Sequence, residues 1–152
     1  MHYGENATIR DEQIEEVPSD EPIAAVEEDA LPANIYSTDG FYEKNGLRYY
    51  HGGDLEGVPG IDVSSYQTSI DWEAVKASGI EFAMIRTGYR GYVSGELVED
   101  EMFRSHLEGA DAAGLDVGVY FFSQALTPEE AEEEARYILQ QVEGYELQYP
   151  IV

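Results

Sequence analysis

The sequence predicts an α/β fold over residues 60–152, in which helices cover a parallel sheet. Near-continuous apolar runs, such as residues 82–87 and 117–122, alternate with segments in which apolar residues recur at helical spacing. Glycine follows the periodic segments, where helices commonly end. A doubly wound sheet and a barrel both fit this alternation, but no Gly-x-Gly-x-x-Gly motif follows a strand.

The first part of the predicted fold contains two strands and one helix. Residues 61–64 form the first strand. Residues 70–79 form a helix that begins near Asp71, a favourable N-cap residue, and stops at Gly79. Residues 82–87 form the second strand, because they are an almost continuous apolar run.

A loop, a helix and a third strand follow. Three glycines within residues 88–95 predict a flexible loop between a strand and a helix. Their spacing differs from that of a dinucleotide-binding loop. Apolar residues then recur at helical spacing from Phe103 to Ala110, and the helix is expected to end at Gly114. Residues 117–122 form the third strand.

The last predicted helix begins with a capping box, in which Thr127 is the N-cap residue, Pro128 occupies N1 and Glu130 occupies N3. The acidic residues between positions 129 and 134 are expected to form a solvated face. The inner face is predicted to consist of Ala131, Ala135, Ile138 and Val142. Residues 149–152 begin a fourth strand.

The N-terminal part of the chain differs in composition. Residues 11–29 contain nine acidic residues, two prolines and no basic residue, which predicts a solvated, disordered tail or linker over residues 1–38. Asn45-Gly46 between aromatic-rich runs predicts a type I′ hairpin within residues 39–53. Its predicted pairs are Phe41 with Tyr50, Tyr42 with Tyr49, Glu43 with Arg48 and Lys44 with Leu47. The hairpin is similar to the repeats of bacterial wall-binding proteins, but a single copy favours a structural appendage.

The composition excludes several classes of function. The formal net charge is −24, which argues against binding nucleic acid or an anionic membrane through a basic patch. No run approaches the roughly 18 apolar residues of a membrane span. There is no cysteine, and His2, His51 and His106 are far apart, so we expect no metal site and no cofactor. His106 is expected on the surface of its helix.

Asp62 is the first candidate for a catalytic residue, because it places a carboxylate in a run that otherwise predicts a buried strand. The structural alternatives are an ion pair with Arg86 of the next strand, or a turn cap. In parallel α/β folds, ligands bind at the carboxyl ends of the strands. Here these ends bring together an acid, a guanidinium, hydroxyl and amide groups and aromatic rings, a combination that suits carbohydrate.

Three segments carry a family resemblance. They are Gly-Ile-Asp-Val-Ser-Ser-Tyr-Gln at 60–67 with Ile-Asp-Trp at 70–72, Phe-Ala-Met-Ile-Arg-Thr-Gly-Tyr at 82–89, and Ala-Ala-Gly-Leu-Asp-Val-Gly-Val-Tyr-Phe-Phe-Ser at 112–123. In this order and spacing, residues 60–152 resemble glycoside hydrolase family 25, the bacterial and phage N-acetylmuramidases, or lysozymes. The resemblance implies a TIM-like (β/α) barrel that cleaves the β-1,4 bond between N-acetylmuramic acid and N-acetylglucosamine in peptidoglycan.

The resemblance maps the family's first-strand aspartate onto Asp62. It also implies that the acid/base glutamate belongs to an Asp-x-Glu motif directly after a segment like residues 150–152. That motif would lie just beyond Val152, so we expect half a barrel and no activity from this chain alone. In the family, the substrate's 2-acetamido group acts as the nucleophile, which leaves Asp62 a role in electrostatic support and substrate positioning. The candidates for the sugar-binding cleft are Arg86, Tyr89, Tyr120, Ser123 and Gln124.

The expectation is therefore a monomeric peptidoglycan hydrolase that binds glycan strands outside the cell or in the wall. The N-terminus shows no export signal, so such a signal would be removed or lie upstream. The alternative from another class is a non-catalytic peptidoglycan-binding module. A third possibility is a different barrel hydrolase that acts on another β-linked amino sugar polymer.

Overall fold

The structure of residues 34–152, a computed structural model, contains a small antiparallel sheet followed by a larger mixed sheet. The greater part of the predicted acidic tail, residues 1–33, lies outside the described residues. Both sheets belong to one compact unit, Tyr36–Val152. Within this described part of the chain, no helix has the length and hydropathy needed to cross a membrane.

The small sheet consists of β1 (Phe41–Lys44), β2 (Leu47–Gly52) and β3 (Leu55–Gly57). The four pairs between β1 and β2 are those that the Asn-Gly turn predicts. Asn45 and Gly46 have φ values of 55° and 78°, which are the positive values that a type I′ turn requires at both central positions. The strand β3 has no counterpart in the sequence prediction.

Tyr50 forms the centre of the small sheet and is only 6% exposed. The rings of Tyr36 and Phe41 pack edge-on against it, with centroid separations of 5.1 and 4.9 Å. Its hydroxyl accepts a hydrogen bond from the Ser37 backbone N–H at 3.0 Å. The sheet is joined to the rest of the unit by Leu47, which packs against the main core. This contact supplies the support that an isolated hairpin lacks in water.

The main sheet contains β4 (Gly60–Val63), β5 (Phe82–Arg90), β6 (Leu97–Glu99) and β7 (Asp116–Phe122). The strands β4 and β7 flank β5 and both run parallel to it. The three strands that the sequence predicts are therefore present and parallel. The strand β6 pairs antiparallel with the C-terminal end of β5, which makes the sheet mixed.

The prediction of a loop over the whole of residues 88–95 is wrong, because residues 88–90 belong to β5 and only residues 91–95 lie in a turn. β5 continues to Arg90, and a tight turn returns the chain as β6. The turn is closed by hydrogen bonds from the Gly91 N–H to the Glu96 carbonyl and from the Gly95 N–H to the Gly91 carbonyl, both 2.8 Å. A Cβ at Gly88 would collide with the backbone of Val98. The glycines thus mark a close strand approach and a turn.

Three helices follow strands of the main sheet: α1 (Trp72–Ala77), α2 (Phe103–Ala112) and α3 (Pro128–Gln141). The predicted N-caps are confirmed for α1 and α3. The Asp71 carboxylate accepts the Ala74 N–H at 3.0 Å, and the Thr127 hydroxyl accepts the Glu130 N–H at 3.2 Å. The α1 helix is shorter at both ends than the predicted range.

The predicted inner face of α3 is partly wrong. Ile138 is buried as expected, but Ala131 and Ala135 are exposed. Glu134 is buried instead, although it belongs to the acidic segment that was expected to be solvated. The reason is an ion pair with Arg90 of β5, which lies beneath the helix.

The hydrophobic core lies between the three helices and one face of the main sheet. Trp72 of α1, Phe103 of α2 and Ile138 of α3 all belong to it. The strand residues on this face are Val63, Ala83, Ile85, Val117, Val119 and Phe121. Side chains alternate along a strand, so the intervening residues point to the opposite face, where those of β4 and β7 are mostly exposed or half-buried. We call this opposite side the open face.

The C-terminal residues pair with β7. Ile151 forms a parallel bridge with Val119. The Phe121 N–H donates to the Val152 carbonyl, and the Val152 N–H donates to the Val119 carbonyl, both at 2.9 Å. The predicted fourth strand is therefore represented by a short parallel segment beside β7.

Candidate functional site

Asp62, Arg86 and Tyr120 lie on the open face. In the sheet register Asp62 is opposite Met84, two residues before Arg86, and Arg86 is opposite Tyr120. Paired residues project to the same side of a sheet, so the three side chains share one face. Asp62 is exposed, and the expectation of a buried carboxylate is wrong because the helices cover only the other face.

Asp62 accepts no hydrogen bond and forms no ion pair with another described residue. The alternative in which it pairs with Arg86 is therefore not what the structure shows; Arg86 pairs with Asp100 instead. The charge of Asp62 nevertheless affects the pKa of the Tyr120 hydroxyl. Burial raises the pKa of Tyr120, the charge of Arg86 opposes this, and the charge of Asp62 raises the pKa further.

Asp100 anchors this part of the site, and the sequence did not identify it. Its carboxylate is fully buried and accepts hydrogen bonds from Arg86 Nε at 2.7 Å and from the backbone N–H groups of Ser65 and Met102, both at 2.9 Å. Burial raises the pKa of Asp100, but these three donors outweigh it, so the pKa lies below its usual value. The one local sequence feature that could have pointed to Asp100 is its position just before α2. Aspartate at such a position commonly accepts a backbone N–H two residues later, as Asp100 does from Met102.

Arg86 is held in one position by several contacts. Besides the bond to Asp100, its Nη2 donates to the Ser65 hydroxyl at 3.0 Å. Its guanidinium carbon lies 5.5 Å from the ring centroids of both Tyr66 and Tyr89, within cation–π range. Nη1 has no acceptor among residues 34–152. A fixed guanidinium with free donors is suited to binding an oxygen-rich ligand.

A cleft of about 460 Å³ opens above this arginine. Of the five residues that the sequence proposed for the cleft, Arg86, Tyr89 and Gln124 line it, whereas Tyr120 and Ser123 do not. The proposed catalytic residue, Asp62, is not part of the lining either. Residues that sequence reasoning missed also contribute. The complete lining is Ser65, Tyr66, Arg86, Tyr89, Arg90, Tyr92, Phe122 and Gln124.

Tyr120 and Ser123 have structural contacts close to the cleft. The Tyr120 hydroxyl is within hydrogen-bonding reach of the Ser64 side chain, at the end of β4. The Ser123 hydroxyl hydrogen-bonds the Glu134 carboxylate and accepts the Ala125 N–H at 3.3 Å. Ser123 therefore ties the segment after β7 to α3.

Arg90 and Glu134 form a second ion pair at one end of the cleft. Arg90 Nε donates to Glu134 at 2.7 Å, and its Nη2 donates to Glu133 at 2.8 Å. Burial raises the pKa of Glu134, but hydrogen bonds from Ser123, Arg90 and the Gln124 N–H lower it by more. The net effect is an ionised pair that fastens β5 to α3.

His106 is buried rather than at the surface, which corrects the sequence-based expectation. Only 1% of the residue is exposed. Its Nε2 lies 3.3 Å from the Ser64 carbonyl, and its ring packs edge-on against Trp72 with a centroid separation of 5.7 Å. His106 therefore connects α2 to the turn that follows Asp62.

The geometry described so far lies almost wholly within one region of sequence similarity. Residues 61–150 match the sequence profile of Glycosyl hydrolases family 25. The chain belongs to this family. The match covers more than half of the chain and includes Asp62, Asp100 and the whole lining of the cleft.

Two curated relatives and one solved structure show the extent of the similarity. Lysozyme M1 of Streptomyces globisporus is 38% identical over 71 residues, which are 47% of this chain and 22% of that protein. The autolytic lysozyme of Clostridium acetobutylicum is 33% identical over 90 residues, 59% of this chain and 25% of that protein. The modular autolysin LytC from Streptococcus pneumoniae has a TM-score of 0.54 and 25% identity, covering 74% of this chain and 27% of that chain. The chain thus spans about a quarter of the length of these relatives.

The family 25 chain offers a limited set of chemical groups at this site. Among residues 34–152, no three histidine, aspartate or glutamate side chains converge in a way that could hold a metal ion. The groups available are one exposed carboxylate, a fixed guanidinium, hydroxyl and amide groups, and aromatic rings. Such a set can bind a sugar and stabilise charge near it.

Proposed function

We propose that the whole protein is a peptidoglycan hydrolase that cleaves the β-1,4 bond between N-acetylmuramic acid and N-acetylglucosamine. The observation that carries this proposal is the family 25 match over residues 61–150, with Asp62 on the open face near a cleft built around a fixed arginine. The curated relatives are named as lysozymes, and LytC has been solved with a synthetic peptidoglycan ligand. The site of action would be the cell wall or the extracellular space, and the protein would act as a monomer.

Asp62 would support the reaction electrostatically and position the substrate. Glycosidases generally need two carboxyl groups at the bond that breaks. Asp100 and Glu134 are unsuited to proton transfer, because their carboxylates are buried and engaged by arginine and backbone donors. Asp62 is exposed and uncommitted, but a single carboxylate does not supply both roles.

The acid/base group would follow the C-terminal segment. The pairing of Ile151 and Val152 with β7 directs this segment towards the sheet edge where β5 and β7 end. The family resemblance implies an Asp-x-Glu motif directly after such a segment. A glutamate there would lie near the cleft, and without it the chain would be inactive. Reading the coding region past Val152 tests this step: an Asp-x-Glu supports it, and any other sequence in the first few codons contradicts it.

The open face would become the interior of a partial TIM-like barrel. The parallel order of β4, β5 and β7, with helices on the opposite side, is the arrangement that a barrel requires. Asp62 and Tyr120 would then point inwards. The small sheet would be an appendage to this barrel, and the acidic residues 1–38 would form a solvated tail or linker.

The cleft would hold the sugar rings through complementary contacts. Tyr89 would offer a ring face, Arg86 its free Nη1 donors, and Gln124 its amide. Tyr120 would hold the Ser64 side chain and Ser123 the segment after β7, and both would reach the substrate from beside the cleft.

Reducing-end analysis of digested peptidoglycan tests the proposed function. The whole protein is incubated with purified glycan strands, and the new reducing ends are identified after borohydride reduction. New N-acetylmuramic acid ends are expected. New N-acetylglucosamine ends would contradict the proposed bond specificity. Binding to the strands without new ends would favour a non-catalytic binding module, which the single uncommitted carboxylate of the described site also fits.

A further inference from the structure

A second cavity of about 250 Å³ adjoins the cleft. The two cavities share Arg90, Tyr92 and Gln124 as walls, so they lie next to each other. The second cavity lies against the turn between β5 and β6, and its outer wall contains Leu126. We call it the hairpin section.

The hairpin section is bordered by unusually exposed apolar side chains. Tyr92 is 87% exposed, Val93 is 95% exposed and Leu126 is 92% exposed. These residues come from two separate loops and line the same cavity. Single exposed apolar residues are common on protein surfaces, but a group gathered around a concavity indicates a binding surface.

The turn that carries Tyr92 is held in place from below. Arg90 Nη1 donates to the Gly95 carbonyl at 2.6 Å, while Nε and Nη2 of the same residue bind Glu134 and Glu133. A buried ion pair contributes little net stability, because removing both charges from water is costly. Its effect here is positional, since it fixes the hairpin section before a ligand arrives. Such preorganisation lowers the entropic cost of binding.

The charged side chains around the hairpin section are already engaged within the protein. Arg90 is paired with Glu133 and Glu134, and the Glu130 carboxylate accepts the Leu126 N–H at 2.7 Å. What the section presents to a ligand is therefore ring and aliphatic surface, the Ser94 hydroxyl and the backbone of the turn. One arginine stands against three glutamates here, so the surrounding charge is negative, and the lining favours a polar ligand with apolar ring faces over an anionic peptide.

We propose that the hairpin section binds further saccharide units of the same glycan strand whose cleavage site occupies the cleft. The inference rests on the proposed function. A polymeric substrate necessarily continues beyond the bond that is cleaved, and the hairpin section adjoins the cleft through the walls that the two cavities share. Tyr92 lines both sections, so its ring would contact the strand where it passes from one to the other.

The length dependence of cleavage tests this inference. The whole protein and its Leu126→Ala variant are assayed on purified glycan strands and on a tetrasaccharide of the same repeat; Leu126 lines the hairpin section and not the cleft. Leu126→Ala should lower kcat/KM on the strands about tenfold, as expected for the loss of one apolar contact, and change it less than twofold on the tetrasaccharide. Leu126→Met keeps the apolar side chain and should keep most of the activity on the strands. Leu139→Ala, an exposed apolar residue on α3, is the control and should change neither value.

Two results would overturn the inference: equal loss on both substrates, or no loss on either. The proposed function fails separately, if the wild-type protein releases no N-acetylmuramic acid ends from the strands. In that case the retention of uncleaved glycan strands decides the matter. Weaker retention by Leu126→Ala than by wild type would support the hairpin section, and equal retention would overturn it.

Discussion

Replacing Asp100 with asparagine tests whether a buried carboxylate holds the arginine of the site in place. The Asp100 carboxylate is fully buried and accepts three N–H groups, one of them from Arg86. Asparagine keeps one acceptor oxygen and turns an amino group towards the remaining donors. Arg86, whose side chain is only 12% exposed, then loses its counter-charge.

The magnitude follows from these contacts. Removing one partner of a buried ion pair costs about 3–5 kcal/mol. Arg86 keeps its bond to the Ser65 hydroxyl, so the lower end, about 3 kcal/mol, is expected. With an m-value of about 2 kcal/mol/M, the urea midpoint of the whole protein should fall by about 1.5 M.

Glu99→Gln is the matched control for this experiment. Glu99 is the preceding residue and pairs with Arg104 at 3.3 Å, but its side chain is 40% exposed and that of Arg104 is 50% exposed. An exposed pair of this kind contributes about 1 kcal/mol at most. Equal midpoint shifts for Asp100→Asn and Glu99→Gln would refute the assignment of a structural role to the Asp100 carboxylate.

Two further predictions concern the same neighbourhood. Because the folded-state pKa of Asp100 is lowered, its contribution to stability is fully present above the unfolded pKa of about 4 and is lost as the pH falls through the folded pKa. The difference in unfolding free energy between wild type and Asp100→Asn should therefore be constant from pH 5 to 7 and shrink below about pH 4; a constant difference down to pH 2 would contradict this. His106→Leu removes the hydrogen bond to Ser64 and should cost about 1–2 kcal/mol in urea unfolding, whereas His106→Gln, which keeps a donor, should cost less than half of that. Equal costs for Leu and Gln would show that the ring acts by packing alone, and His51→Gln on the exposed face of β2 is the control.

Local sequence patterns were sufficient for most of the regular elements, but not for the short strands β3 and β6. The apolar runs that form β5 and β7 predicted buried strands. In the structure, one face of each of these strands belongs to the hydrophobic core. The register of the small hairpin followed from Asn45-Gly46, since a two-residue turn leaves only one pairing. The helix caps at Asp71 and Thr127 could also be predicted from the sequence, because each cap joins residues only three positions apart.

The site depends on contacts between residues far apart in sequence, which local patterns do not report. Nothing near Asp100 indicates that its partner is Arg86, fourteen residues earlier, and the separation between Arg90 and Glu134 is forty-four residues. The exposure of Asp62 depends on which face of the sheet the helices cover, and an alternating pattern is equally compatible with either face. The strand pattern and the family resemblance both identified Asp62 as a candidate, but neither supplied the arrangement around Asp100.

The most direct test of the proposed function is the activity of Asp62→Asn in the whole protein. Release of N-acetylmuramic acid reducing ends and sedimentation with insoluble peptidoglycan are measured for wild type and variant. The exposed position of Asp62 predicts that the variant folds, binds the wall as wild type does, and loses about 10²–10³-fold in kcat, the cost of removing one transition-state stabilising group. Unchanged release of reducing ends by Asp62→Asn would contradict the assignment of this carboxylate to the reaction.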